Sequence, residues 1–295
     1  MRLADLSDAL PPVVPAQPAF PRRLLGAFRR KSITFCTGVT DEATVVYWFQ
    51  SRSFTLDLRL PDGAATSVSD RQGWVGDTLW DEERQQMSWS IAKSYQPRDQ
   101  WPEPAELRFM GNSVLEFAPS GAYVEDWRQQ SVRGRLLGLR LLSLHDEDMG
   151  QDLPMDGGLI IAGNHVAYAQ SRLPRLDAAL RHVADLDQAL TDRLFTPEEI
   201  ESYEMSVALD GWTISHSTQT GRMGEQIASG EFALHPDGSV LLSRRVAGRR
   251  CRLRFAIDIH LPDFTFDRRT EGASQTAEWM EKEGSHLFRH AAIAS

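Results

Sequence analysis

Residues 54–60 read Phe-Thr-Leu-Asp-Leu-Arg-Leu. Apolar and polar side chains alternate at period two, which an extended strand turns into two chemically different faces. Phe54, Leu56, Leu58 and Leu60 share one face, and Thr55, Asp57 and Arg59 share the other. Pro61-Asp62-Gly63 then supplies turn chemistry. Similar segments recur at 32–37, 44–52, 73–79, 86–93, 105–110, 113–117, 123–129 and 136–144. Gly111-Asn112 and Ser120-Gly121 mark turns between them. About nine short strands at spacings near ten residues predict an antiparallel barrel or sandwich.

The rest of the 295-residue chain repeats this grammar, with a few helices. Residues 1–20 carry prolines at 11, 12, 15 and 18 and read as an extended arm, either loose or docked through Leu10, Val13, Val14 and Phe20. Residues 146–157 are acidic and contain Gly and Pro, the composition of a linker. The predicted organisation is the arm, a first barrel over 21–148, a second barrel over 149–268 and a helical tail over 269–295. Leu173, Leu176, Leu180, Val183, Leu186 and Leu190 step by three or four and predict a helix inserted in the second barrel. Thr196-Pro197-Glu198-Glu199 reads as a capping box. The fold class expected is all-β with a few helices, as two tandem antiparallel lipocalin-like β-barrels.

Composition excludes several functions. Asp plus Glu is 41 against 32 Lys plus Arg, a net charge of −9, which argues against binding nucleic acid through a positive footprint. The arginines between 244 and 254 alternate with Cys251, Leu253 and Phe255, so they read as the solvated face of an outer strand. Two cysteines, Cys36 and Cys251, make neither a disulfide framework nor a Cys-rich zinc site. His286 and His290 share a helical face near Glu283, but zinc takes three or four ligands. No metal or cofactor is expected, and no nucleotide-binding Gly-rich loop occurs. No apolar run reaches the length of a membrane span or a secretory leader, so the expected location is the cytoplasm.

The candidate site residues fall in two groups. Trp48, Gln50, Asp57 and Arg59 lie on adjacent segments and can face one barrel lumen with Glu125 and Trp127. Aromatic rings, an amide and an ion pair on one face suit a planar or carbonyl ligand. The alternative turns the leucines inward and leaves Asp57 and Arg59 as a surface pair. Glu125, flanked by Tyr123 and Trp127, is a candidate acid or base if burial raises its pKa. The second group comprises His165, Tyr168 and Ser217, with His165 a candidate for proton transfer near neutral pH. Asp57, Glu125 and His165 are the candidate catalytic residues, and Trp48, Gln50, Arg59, Trp127, Tyr168 and Ser217 the candidate ligand contacts.

Several strings also suggest a family. They are Tyr47-Trp48-Phe49-Gln50 with Thr55-Leu56-Asp57-Leu58-Arg59-Leu60-Pro61, Trp89 with Tyr95-Gln96-Pro97, and Tyr123-Val124-Glu125-Asp126-Trp127. Gly163-Asn164-His165-Val166-Ala167-Tyr168 and Trp212-x-Ile214-x-x-Ser217-Thr218 extend the pattern. Over roughly residues 40–220 the chain resembles a calycin-like family that includes uncharacterised bacterial proteins and the fungal two-barrel protein known as a casein-kinase interactor. The resemblance implies two lipocalin-like barrels in one chain and brings no settled activity. The chain departs from it at Ser90, Ile91 and Ala92, where polar, basic residues are expected.

The function expected is the binding of a small hydrophobic or aromatic molecule in a barrel lumen. A cofactor-free lyase, isomerase or hydrolase in the same lumen is the alternative, and an adaptor for protein partners is a third class. The oligomeric state is open, a homodimer included.

Overall fold

The computed structural model describes residues 1–13, 20–97 and 103–292. The alternating segments of the first half form β1 (Gly26–Phe35), β2 (Thr40–Asp41), β3 (Val45–Gln50), β4 (Phe54–Leu60) and β5 (Gln72–Asp81). They continue as β6 (Gln86–Ser94), β7 (Ala105–Met110), β8 (Ser113–Phe117) and β9 (Tyr123–Gln129). Pairing is antiparallel from β1 to β3 and then strand by strand to β9, which pairs back onto β1. The circuit is a closed eight-stranded barrel, with β2 attached at the end of β1. Closure gives every strand of that circuit a partner on both sides, though β6 meets β7 only at Gln86 and Met87.

The second half forms another antiparallel sheet. Its strands are β10 (Arg133–Asp146), β11 (Gln151–Leu153), β12 (Gly157–Ala162), β13 (His165–Gln170), β14 (Glu204–Ala208) and β15 (His216–Ser217). β16 (Glu231–Leu234), β17 (Val240–Val246) and β18 (Arg249–Thr265) complete it. The order is β15-β14-β13-β12-β10-β18-β17-β16, with β11 on β10. Among the described residues β15 and β16 do not pair, so this sheet is open. The all-β class holds, but only one of the two expected barrels is closed. β15 has 2 residues and β16 has 4, and the outer edge of β16 is taken by the N-terminus instead, with Met1 and Phe232 exchanging backbone hydrogen bonds.

Other expectations also change. Residues 133–146 belong to the second sheet, so the first barrel does not extend to 148. The acidic stretch 146–157 is no linker, because it holds the β10–β11 hairpin. Its Asp146 accepts from the backbone N–H groups of Asp148 and Met149 and from Arg249. Turn chemistry and linker composition use the same residues, so the sequence does not separate them. The arm opens as a helix, α1 (Leu3–Ala9), because its prolines start only at residue 11. Leu3, Leu6 and Leu10 bury in the core of the second sheet. Val13 bridges to His260, while Val14 lies outside the described residues. The single helix expected over 173–190 is two, α2 (Pro174–Leu180) and α3 (Leu186–Thr191), since Asp185 caps a fresh start by accepting from Asp187 and Gln188. The capping box at Thr196 opens α4 (Pro197–Glu201), and the tail carries α5 (Thr276–Phe288). Among the described residues no helix is long and apolar enough to cross a membrane.

The leucine face of β4 points out of the barrel and onto the second sheet. Phe54, Leu56 and Leu58 share a core there with Leu136, Ile160 and Met205. β4 is therefore covered on both sides, and its polar face becomes the barrel interior. Contact is close: a Cβ on Gly158 would lie 2.6 Å from the Phe54 ring. Asp258 of β18 clamps the β3–β4 turn, accepting from Ser51 Oγ at 2.5 Å and from Ser53 Oγ at 2.7 Å. Arg172 donates to the carbonyls of Ser94, Tyr95 and Ile200, tying the end of β6 to the second half.

Candidate functional site

The barrel interior is built from cross-strand rows. Register aligns Phe28, Trp48, Asp57 and Trp74 across β1, β3, β4 and β5. A second row runs Ile33, Glu125, Glu116 and Leu107 across β1, β9, β8 and β7. Members of both rows line a cavity of about 470 Å³, a size typical of small-molecule sites. Four tryptophans wall it: Trp48, Trp74, Trp89 and Trp127. Phe28 stacks on Trp48 with centroids 4.6 Å apart, and Trp127 meets Trp48 edge-on at 5.6 Å. Phe35, Asp41, Glu103 and Tyr123 form the more exposed rim.

Hydrogen bonds fix the deep rings. Trp48 Nε1 donates to Gln50 Oε1 at 3.1 Å, and Trp127 Nε1 donates to Glu116 Oε2 at 3.0 Å. Gln50 is fully buried and stands outside the cavity lining. Its amide nitrogen donates to the carbonyls of Ser51 and Phe54 and to Thr78 Oγ1, so it holds the hairpin and orients Trp48.

Two arginines stand in the walls, each ion-paired. Arg59 Nε donates to Asp57 at 2.9 Å, and its guanidinium lies 4.6 Å from the Trp74 centroid. Arg30 donates to Glu125 and to Asp41, each at 2.8 Å. Glu116 has no cation in ion-pair range among the described residues. Burial is the largest influence on its carboxyl, and the charge of Glu125 adds to it; Arg59 and the Trp127 bond oppose them, and the net result is about 8. Burial also raises Asp57, against the pull of Arg59. Tyr123 is raised by burial first and then by Glu116. At neutral pH Glu116 thus keeps its proton and can donate it, while Asp41, Asp57 and Glu125 have cation partners.

The structure gathers Trp48, Asp57, Arg59, Glu125 and Trp127 around one cavity, with Gln50 in support. The expected surface-pair alternative for Asp57 and Arg59 is not what the fold adopts. Glu125 is held by Arg30, and the lone buried acid is its cross-strand neighbour Glu116. His165, Tyr168 and Ser217 are elsewhere, in the second sheet, where Tyr168 and Ser217 fall on one cross-strand row with Ser206 between them and His165 is on the opposite face. In a strand, residues three apart point to opposite faces. His165 shares the face of Ala167 toward the barrel, with Nδ1 3.4 Å from Ser131 Oγ, and burial lowers its pKa. Tyr168 lies on the far face and donates to Gln170 at 2.9 Å. Ser217 Oγ pairs with Ser206 Oγ at 2.9 Å, next to a Glu204 held by Arg222 and Arg244.

Arg30, Trp74 and Glu116 complete the site and are missing from the sequence-derived set. A signal for Glu116 exists in the sequence. Folding 113–129 about Ser120-Gly121 places Glu116 directly opposite Glu125. The arginines of β17 and β18 pair largely with acids of neighbouring turns: Arg250 with Asp148, Arg252 with Glu147 and Arg254 with Asp237. No protein-family model matches the chain, and no curated protein or solved structure matches it. The site therefore rests on the geometry of the closed barrel, which is compatible with a calycin-like fold.

Proposed function

We propose that this chain binds a small aromatic or largely apolar molecule in the lumen of the closed barrel. The observation that carries the reading is the cavity of about 470 Å³ walled by four tryptophans. Indole faces give a ligand large contact area at little entropic cost, and the flanking ion pairs orient it. We read the barrel as calycin-like on the same grounds, supported by its eight-stranded antiparallel closure. Native mass spectrometry of protein purified from its own host tests the proposal. A small molecule is expected on the wild type and is expected to be lost in Thr55→Phe, which places a ring in the cavity. A bare wild-type chain whose tryptophan emission no aromatic probe alters would overturn it.

Glu116 favours a second reading, cofactor-free acid–base catalysis in the same lumen. A carboxylic acid that titrates near 8 can protonate a bound substrate, with Asp57 or Glu125 as the complementary base. With a substrate in hand, Glu116→Gln is expected to abolish turnover and to retain binding. Unchanged turnover rejects this reading.

A further inference from the structure

The charges lining the lumen do not balance. Among the described residues, the guanidiniums of Arg30 and Arg59 face the carboxyl groups of Asp41, Asp57, Glu103, Glu116 and Glu125. Arg59 is taken by Asp57, and Arg30 by Glu125 and Asp41. Glu103, at the rim, accepts from the backbone and hydroxyl of Ser120. Glu116 remains. It is 4% exposed, and one of its oxygens accepts from Trp127. A buried carboxyl group needs a cation or a proton. Four tryptophans wall the same lumen, and the negative quadrupole of an indole face attracts cations. Arg59 over Trp74 already makes that contact within the same lumen.

We propose that the lumen takes an organic cation, whose protonated amine or quaternary ammonium group sits against Glu116 while its apolar body lies among the tryptophans. This rests on the lumen-binding reading above and names its ligand class. A neutral aromatic fills the same volume but leaves Glu116 to its proton. An anion finds both lining arginines, Arg30 and Arg59, already paired. Without a ligand cation, Glu116 meets the same need with a proton, its carboxyl lifted to about 8 by burial and by Glu125. Binding of a cation then expels that proton. The groups facing Glu116 are Glu125 and Tyr123 from β9, Asp57 and Arg59 from β4, Arg30 from β1, and Glu103. Arg30 and Arg59 compensate the two buried acids, and burial raises the Tyr123 phenol further from neutrality. Among the described residues Glu116 is therefore the buried lumen acid left without a cation, while Asp57, also raised by burial, keeps Arg59.

Trimethylphenylammonium and tert-butylbenzene share a shape and differ by one charge. Each is titrated into the full chain between pH 6 and pH 9, followed by tryptophan fluorescence and by calorimetry in two buffers of different ionisation heat. The ammonium is expected to bind at least about tenfold more tightly than its neutral isostere at pH 9. Its affinity is expected to rise about tenfold per pH unit below about 8, with close to one proton released per ligand at pH 6. Glu116→Gln is expected to remove that pH dependence, and if this variant does not fold, the wild-type pH series and proton count decide alone. Equal or tighter binding of tert-butylbenzene, or ammonium binding that is flat with pH and releases no proton, overturns the cation class and leaves lumen binding in place. Failure of both probes to bind overturns the lumen reading and this inference with it.

Discussion

Glu116 couples the site to stability as well as to ligand. Its folded value is about 8 against an ordinary 4.5, so between those values the folded state keeps a proton that the unfolded chain has lost. Stability from this group is complete below about 4.5, falls at about 1.4 kcal/mol per pH unit through the window, and levels off above about 8. Urea denaturation of wild type and Glu116→Gln at pH 5, 6, 7 and 8 checks this. The wild type is expected to lose stability relative to the variant as pH rises, and parallel profiles would contradict it. Arg59 makes a separate prediction. Asp57 is only 4% exposed, so Arg59→Ala leaves an uncompensated buried acid. The expected loss is about 3–5 kcal/mol by chemical denaturation. A loss below about 1 kcal/mol would mean that the pair behaves as a solvated one.

Among the elements, β4 has the most exacting position, since it serves the lumen with one face and the second sheet with the other. Its seam against β12 depends on glycine. A Cβ at Gly158 would lie 2.6 Å from the Phe54 ring and 3.1 Å from the Leu139 carbonyl oxygen. Gly158→Ala is therefore expected to cost about 1–3 kcal/mol in thermal or urea unfolding, because the ring must shift within a packed core. A neutral substitution would show that the sheets do not press together there. The β8–β9 hairpin shows how much an element reveals by itself. Its turn and alternation are legible in the sequence, and its register follows from the turn. The pairing of Glu116 with Glu125 is thus contained in residues 113–129 alone. It belongs to the hairpin and not to either strand, since the alternation of Ser113–Phe117 gives Glu116 a face but no neighbour.

At the scale of the whole molecule, the two sheets are mechanically one. They share a core, the Asp258 clamp on the β3–β4 turn, and the Arg172 staple between β6 and the second half. Arg172 is 2% exposed and lies over the rings of Tyr95 and Tyr203. Burial lowers its pKa to about 10, while Tyr95 and Asp177 resist. Arg172→Met strands carbonyls from both halves, and about 2–4 kcal/mol of stability is expected to go with them. Tryptophan fluorescence and far-UV circular dichroism are expected to report one coincident unfolding transition in the wild type. Two separated transitions would show that barrel and open sheet fold independently.

The amino-acid order by itself determined the all-β class, the positions of most first-half strands, and the division of β4 into a leucine face and an Asp57–Arg59 face. These follow from local sterics and period-two burial, which each strand carries in its own residues. Tertiary structure alone decided which face became the lumen. An aliphatic face can line a barrel or leave it, and here the second sheet covers the outside and turns the polar face inward. It also decided that one sheet closes and the other does not, because closure depends on strand lengths and pairings set by distant segments. The gathering of Arg30, Trp74 and Glu116 around one cavity comes from cross-strand register, a property that no single strand contains, whereas the separation of His165 from Tyr168 is already set by alternation within β13.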